Sequence, residues 1–579
     1  MTFAALGVAC GDDDVQLPEQ DAAVVEMDAG AMDAGISADS ATPDASSVDA
    51  RSDAGVRDPV LWFEDVAVSA GIDFSRVPAD GLDSLVDRMT GGVCVIDADG
   101  RAPLDLFFAM RPSASGGSRL YVGHGPLAYV DETSSRGLTS VGDASGCLAF
   151  DAEGDGDDDL LVTGLGSVRL LRNDAGSFID VTATLGLSLD PRDLYMSAAA
   201  GDVDGDGDLD LLVAGFLRID TSGLPAPGSC SPIPCEANIH AFTPIADLLL
   251  VRGPSGTYAN RAADLAPDLA RDEPTLCVAI QHLDGDGVPD LYVGNDLAAR
   301  FRDRPLVRGT GSVFADASDS IGLAYNRRGG GIDTMGWSTG DIDGDGRLDH
   351  VATSWEGDAT AAFLCGADGF CEDRAVDVGT KAVESSFRWG AALGDLDLDG
   401  RVDLFEATGH LDRDSELAAI GSASTRDQVA NLLWNTGVRL EPVAPAVADA
   451  LAVRRSTRGI ALVDLDDDGR LDVVLAPSDG PPAVLHNVRP PVGRWLRVVL
   501  RGRGANKSGL GAVVTVLDGA RTLIRERTAG EGYLGNFDPR LHFGIAGGGA
   551  VEVRVRWPSG GATTLPAVDL DREIEIAEP

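Results

Sequence analysis

The sequence predicts an all-β chain, a seven-bladed radial propeller followed by a small all-β module. Three observations carry this. An acidic loop of fixed internal spacing recurs seven times, beginning at Asp97, Asp151, Asp202, His282, Asp341, Asp395 and Asp464, at intervals of 54, 51, 80, 59, 54 and 69 residues. Short apolar strands flank the copies, for example Gly92 to Ile96, Leu160 to Thr163, Leu291 to Val293 and Val473 to Leu475, and helical periodicity is almost absent. Beyond Pro490-Pro491 the acidic loops stop and alternating strands take over, at 495–500, 512–517, 522–527, 551–557 and 573–576. Repeats of this period mark a radial array in which each unit buries its faces against its neighbours.

The first ten residues are apolar and small and stop at Cys10, ahead of Gly11 and an Asp run. They resemble the end of a bacterial lipoprotein signal, which makes Cys10 the lipidation candidate, although Leu6 lies one place further from the cysteine than usual and no basic residue precedes it. Residues 11–58 hold 13 acidic residues against Arg51 and Arg57 and little apolar surface, so they read as a solvated, self-repelling stalk. Residues 59–490 are the expected propeller and 491–579 the expected closing module. No stretch is long and apolar enough for a membrane-spanning helix, so a lipid anchor is the only membrane attachment expected. The net charge of −47, from 93 acidic and 46 basic residues, argues against nucleic acid or anionic lipid as a partner.

The best-formed loop places Asp202, Asp204, Asp206 and Asp210 at positions 1, 3, 5 and 9, with Gly207 at position 6 and an apolar run behind. Carboxylates held this close repel one another unless a divalent ion sits between them, and an all-oxygen set suits calcium. An EF-hand opens alike but closes with Glu at position 12, where this chain has Val213. Full sets recur as Asp151, Glu153, Asp155 and Asp159; as Asp341, Asp343, Asp345 and Asp349; as Asp395, Asp397, Asp399 and Asp403; and as Asp464, Asp466, Asp468 and Asp472. The first copy keeps Asp97, Asp99 and Asp105 but has Arg101 and Ala102 where the third ligand and the glycine belong. The fourth keeps Asp284, Asp286 and Asp290 but opens on His282, a nitrogen donor that calcium disfavours. About five well-formed calcium sites and two degenerate ones are expected.

Cys230 with Cys235 and Cys365 with Cys371 form close pairs in loops, which an oxidising compartment would let bridge. Cys94, Cys147 and Cys277 stand in strands just ahead of acidic loops and read as small buried hydrophobes. Trp337 and Trp389, also ahead of loops, read as packing between blades, and His410 and His542 as structural. With no CxxC pair, no HExxH and no Gly-x-Ser-x-Gly elbow, no catalytic constellation is recognised.

Further motifs point to a family. The repeats carry an Asn- and Gly-rich hairpin, clearest from Leu170 to Phe178 and weaker at Asn435-Thr436-Gly437, and the phrases Gly294-Asn295-Asp296 and Thr334-Met335-Gly336-Trp337. The closing module carries Asn506-Lys507-Ser508-Gly509, Gly530-Glu531-Gly532-Tyr533-Leu534, Leu541-His542-Phe543-Gly544 and Val555-Arg556-Trp557-Pro558. Together with the loops these resemble the FG-GAP or VCBS repeat of integrin-α-like propellers followed by an ASPIC/UnbV domain, the arrangement of the cartilage acidic protein family. The resemblance implies a metal loop joining the first two strands of each blade, at the blade's edge and away from the axis. It also implies extracellular calcium binding and adhesion-like interaction, with no catalytic residue to carry over. The expected function is a non-catalytic, extracytoplasmic interaction protein, an outer-membrane or cell-surface lipoprotein or else secreted, meeting a protein or glycan ligand. One rival is a glycan-acting hydrolase or lyase in the central depression, which needs His, Tyr, Arg and carboxylate side chains converging on the axis. Another is a self-associating surface or matrix component.

Overall fold

The computed structural model describes residues 61–579 apart from 79–81, 115, 226–229, 309–312 and 447; Cys10 and the stalk at 11–58 lie outside the described residues. Seven antiparallel sheets, each built on a path of four strands, follow one another in the chain. The first strand of each sheet, from Gly92–Ile96 to Thr457–Val463, packs against the first strand of the next, and the seventh returns to the first. The sheets therefore close a ring. Phe63–Asp65 completes the seventh sheet by pairing with Ala483–Asn487, so a strand from the start of the propeller locks its end.

Burial grades outward from the axis along each sheet. First strands such as Asp193–Gly201 and Arg388–Gly394 are buried at every residue, because neighbouring sheets cover both of their faces. This is why they read as continuous apolar runs without alternation. Last strands such as Tyr129–Asp131 and Tyr258–Asn260 bury only the leading aromatic residue. The hairpin Asn is a staple between blades. Asn173 donates to the carbonyls of Ala98 and Asp158, Asn435 to those of Ile342 and Val402, and Asn487 to those of Leu396 and Leu471. In each case one carbonyl belongs to the sheet's own acidic loop and the other to the loop of the sheet before it.

The closing module is two sheets around a core that includes Leu496, Val514, Phe543 and Trp557. One sheet orders Leu541–Ile545, Arg494–Arg501 and Arg572–Ala577, the last two parallel. The other orders Arg521–Glu526, Val513–Asp518, Val551–Arg556 and Ala562–Val568. The propeller and the closing module belong to one compact unit.

That integration comes from the segment between Glu526 and Leu541, which enters the axis of the ring. The Asn536 carbonyl accepts from Val95 N, its side-chain oxygen accepts from Ala149 N, and the Leu534 carbonyl accepts from Cys147 N. Gly532 exchanges both backbone hydrogen bonds with Trp337, Asp538 N donates to Leu462 O, and Tyr533 packs on Trp389 with ring centroids 5.2 Å apart. First strands of the first, second, fifth, sixth and seventh sheets are thus all engaged. The approach requires glycine: a Cβ on Gly535 would lie 1.9 Å from the Val93 carbonyl, and Gly530, at φ +100°, meets the Ala198 carbonyl. At the opposite end the short helix Leu85–Met89, buried at every residue, lies over the axis, and the Tyr533 hydroxyl donates to the Met89 carbonyl at 3.1 Å.

Candidate metal loops and the module that covers them

Each acidic loop joins the first strand of its sheet to the second. In the second, third and fifth loops the position-1 carboxylate organises the turn. Asp202 Oδ1 accepts the amides of Gly205 and Asp206 and Oδ2 that of Gly207, with Asp151 and Asp341 doing the same in their loops. Position 9 ties the loop to the sheet: one oxygen of Asp210 accepts from Val203 N and the other from Arg252 N on the next strand. Asp105, Asp159, Asp349, Asp403 and Asp472 repeat this pattern. The turn needs left-handed backbone at position 4 as well as position 6. Gly205 and Gly207 supply it at φ +82° and +91°, whereas Leu398 and Asp467 are held at +62° and +61°, a conformation costing an L-residue roughly 1–2 kcal/mol.

Packing these acids together without a counter-charge favours their neutral forms. Burial pushes Asp105 and Asp290 up to about 7, Asp210, Asp349 and Asp395 to about 8, and Asp159 to about 9. A bound dication would reverse that preference. Four buried loop oxygens, Oδ1 of Asp99, Asp290, Asp397 and Asp464, have no hydrogen-bond partner. Oxygen donors gathered within 4.8 Å, as for Asp202 with Asp204 and Asp206 and for Asp341 with Asp343 and Asp349, suit a hard dication such as calcium. The first loop, expected to be poor, also brings Asp97, Asp99 and Asp105 within that distance, although Arg136 pairs with Asp99 at 3.0 Å.

Several expectations are corrected. The loops do not sit at the blade edge away from the axis. They leave the strands nearest the axis, and the closing module covers that face of the ring. Arg497 bonds Asp464 at 2.8 Å and Asp467 at 2.7 Å, Arg521 donates to the Asp399 carbonyl, and His542 Nε2 donates to that of Gly469. His282 is a docking residue: its Nδ1 lies 2.6 Å from Glu526 of the module, and its odd place in the ligand pattern is explained by that partner. Cys94 and Cys147 are not independent buried hydrophobes. They face each other from adjacent first strands, with Cα atoms 6.1 Å apart, and form a disulfide. Cys230–Cys235 and Cys365–Cys371 are bridged and Cys277 is a buried thiol.

Tyr and Arg converge on the axis as core, whereas His410 is only partly buried. Tyr533 and Arg458 are fully buried; Arg458 lies 4.1 Å above the Trp389 ring and donates to the carbonyls of Arg88 and Thr457. His410, held near pKa 4 by burial, accepts from Asp412 N. A cleft of about 360 Å³ lies between the fifth and sixth loops and the module, lined by residues including Asp341, Asp395, Arg401, Arg525 and Phe543.

Comparison with known proteins agrees with this architecture. The model for the ASPIC and UnbV family matches residues 502–579, and that for the FG-GAP-like repeat matches 151–213, which contains the second and third loops. The chain therefore carries FG-GAP-like repeats and an ASPIC/UnbV domain. It is 26% identical over 302 residues to cartilage acidic protein 1 of Mus musculus, covering 50% of this chain and 43% of that protein, and 27% identical to the Homo sapiens protein, covering 42% of it. The chain thus spans less than half the length of these curated relatives. Among solved structures, a lectin of Agrocybe aegerita that recognises terminal N-acetylglucosamine is 17% identical, covering 62% of this chain and 81% of its own at a TM-score of 0.36. The Aleuria aurantia lectin is 11% identical, covering 63% of this chain and 99% of its own at 0.30. With the ASPIC/UnbV domain assigned, its Gly530 to Leu534 motif is the axial plug described above. Among the described residues no helix is long and apolar enough to cross a membrane.

Proposed function

We propose that this chain is an extracytoplasmic, calcium-stabilised scaffold that acts as a non-catalytic interaction protein for protein or glycan ligands. The observation that carries the calcium reading is the set of buried, unpartnered oxygens of Asp99, Asp290, Asp397 and Asp464 in the first, fourth, sixth and seventh loops, beside carboxylate oxygens that hold loop amides. Three disulfides support an oxidising compartment. The plug and the helix Leu85–Met89 share one apolar core with Trp389, which favours contact through surface loops over chemistry in a central depression. The cations then act on the ligand-bearing surface indirectly, by fixing the loops against the ASPIC/UnbV domain.

Thermal unfolding in calcium and in excess chelator tests the scaffold. A site saturated at 100 times its Kd contributes about 2.7 kcal/mol, so loss of even two sites lowers the melting temperature by several degrees. An unchanged melt sinks the calcium role. The interaction role is tested with a glycan array and with capture of surface proteins, each in calcium and in chelator; absence of a calcium-dependent ligand in both sinks it.

A further inference from the structure

The seventh loop differs from the other six in one donor. In every sheet the residue that follows the partner of position 10 on the third strand stands beside the acidic loop. By register it is a valine or leucine in the first, third, fourth and fifth sheets, Arg172 in the second, Trp434 in the sixth and His486 in the seventh. Arg172 reaches Glu153 at position 3, and Trp434 stands beside Asp397 at position 3. His486 does the equivalent with an imidazole: Nδ1 lies 3.1 Å from Asp472 Oδ1 and Nε2 lies 3.9 Å from Asp466 Oδ2. One donor atom from each of the three residues falls within 4.8 Å of the others.

A second feature of the same loop points to an ion. Asp464 is 1% exposed. Its Oδ2 is taken by Gly469 N and Arg497, while Oδ1, the atom that in the second, third and fifth loops accepts the amides of positions 4 and 5, has no partner. The loop thus keeps an uncommitted interior oxygen while Arg497 already offsets part of its charge. Less charge left to neutralise and a nitrogen donor in reach both weigh against calcium, which takes oxygen ligands, and towards borderline dications, which accept imidazole with carboxylate.

We propose that the seventh loop is a transition-metal site, taking zinc through His486 together with Asp466, Asp472 and the free oxygen of Asp464. The inference rests on reading the loops as cation sites, but it can fail separately. The test strips the full chain with chelator, dialyses it against millimolar calcium with a slight molar excess of zinc, and counts both metals per chain by mass spectrometry. Wild type is expected to keep about one zinc beside its calcium. His486→Gln is expected to lose that zinc, with affinity falling at least roughly ten- to hundredfold, and to keep its calcium. Cobalt substituted for zinc in the wild type gives a second readout, a hyperfine-shifted imidazole proton, that does not depend on the variant folding. Failure to retain zinc, an equal zinc count in H486Q, or no shifted imidazole signal overturns the proposal. Zinc retained with no calcium bound would instead refute the calcium scaffold and leave this site standing.

Discussion

Replacing Tyr533 by alanine tests whether the ASPIC/UnbV domain is structurally part of the propeller. The side chain is fully buried on the axis, 5.2 Å from Trp389, and its hydroxyl is the partner of the Met89 carbonyl. Removing a buried aromatic ring of this kind costs about 3–5 kcal/mol through lost transfer energy and residual cavity. Leaving the Met89 carbonyl unpaired adds about 1 kcal/mol, and Tyr533→Phe isolates that smaller part. The assay is urea unfolding followed by tryptophan fluorescence and by far-UV circular dichroism. Five tryptophans lie in the ring and Trp495 and Trp557 in the closing domain, so fluorescence samples both, and one cooperative transition is expected, shifted to a lower midpoint in the variant. A shift worth less than about 1 kcal/mol, or a closing domain that melts separately in the wild type, would refute the axial packing argument.

Two further outcomes follow from carboxylates that accept backbone amides. Asp247 is buried, accepts from Gly215 N and Thr275 Oγ1, and is pushed by that burial up to about 8. Because its folded pKa lies above its unfolded value, its contribution is full at acid pH and is lost as pH rises through about 8. Asp247→Asn should therefore gain on wild type by up to about 1.4 kcal/mol per pH unit between roughly pH 4 and 8, and a pH-independent difference in denaturant unfolding would refute this. In the third loop, Asp202→Ala should lower stability by about 2–3 kcal/mol in calcium-free buffer, whereas Asp204→Ala should cost under about 1 kcal/mol, since Asp202 holds three loop amides and Asp204 one. Equal shifts in their melting curves would show that the turn does not depend on position 1.

Much of this molecule could be read from local pattern. The seven loops, the strands flanking them and the Asn hairpins are each encoded within some tens of residues, and they fall where spacing and short apolar runs place them. What escaped was every feature made by residues far apart in sequence. Cys94 and Cys147 are separated by 53 residues and meet only because neighbouring first strands lie in register. His282 acquires its meaning from Glu526, 244 residues away. His486 gave no signal as a donor because it lies a strand beyond the loop, in a position that most other sheets fill with an aliphatic residue. The Gly530 to Leu534 motif marks the closing module, and nothing local shows that it threads along an axis. The strands Leu541–Ile545 and Ala562–Val568 were also missed, the first being a short run broken by glycine and the second carrying Pro566.

The plug also bears on the order of synthesis. The ring is complete once residue 487 is paired with Phe63, but the groups that fill its centre lie more than forty residues later, between Ala529 and Asp538. During synthesis Ala198 to Ala200 and Trp389 lack the contacts of the plug until the closing domain emerges. The ASPIC/UnbV domain thus works as a keystone, and a chain ending before it would be a ring with an apolar bore.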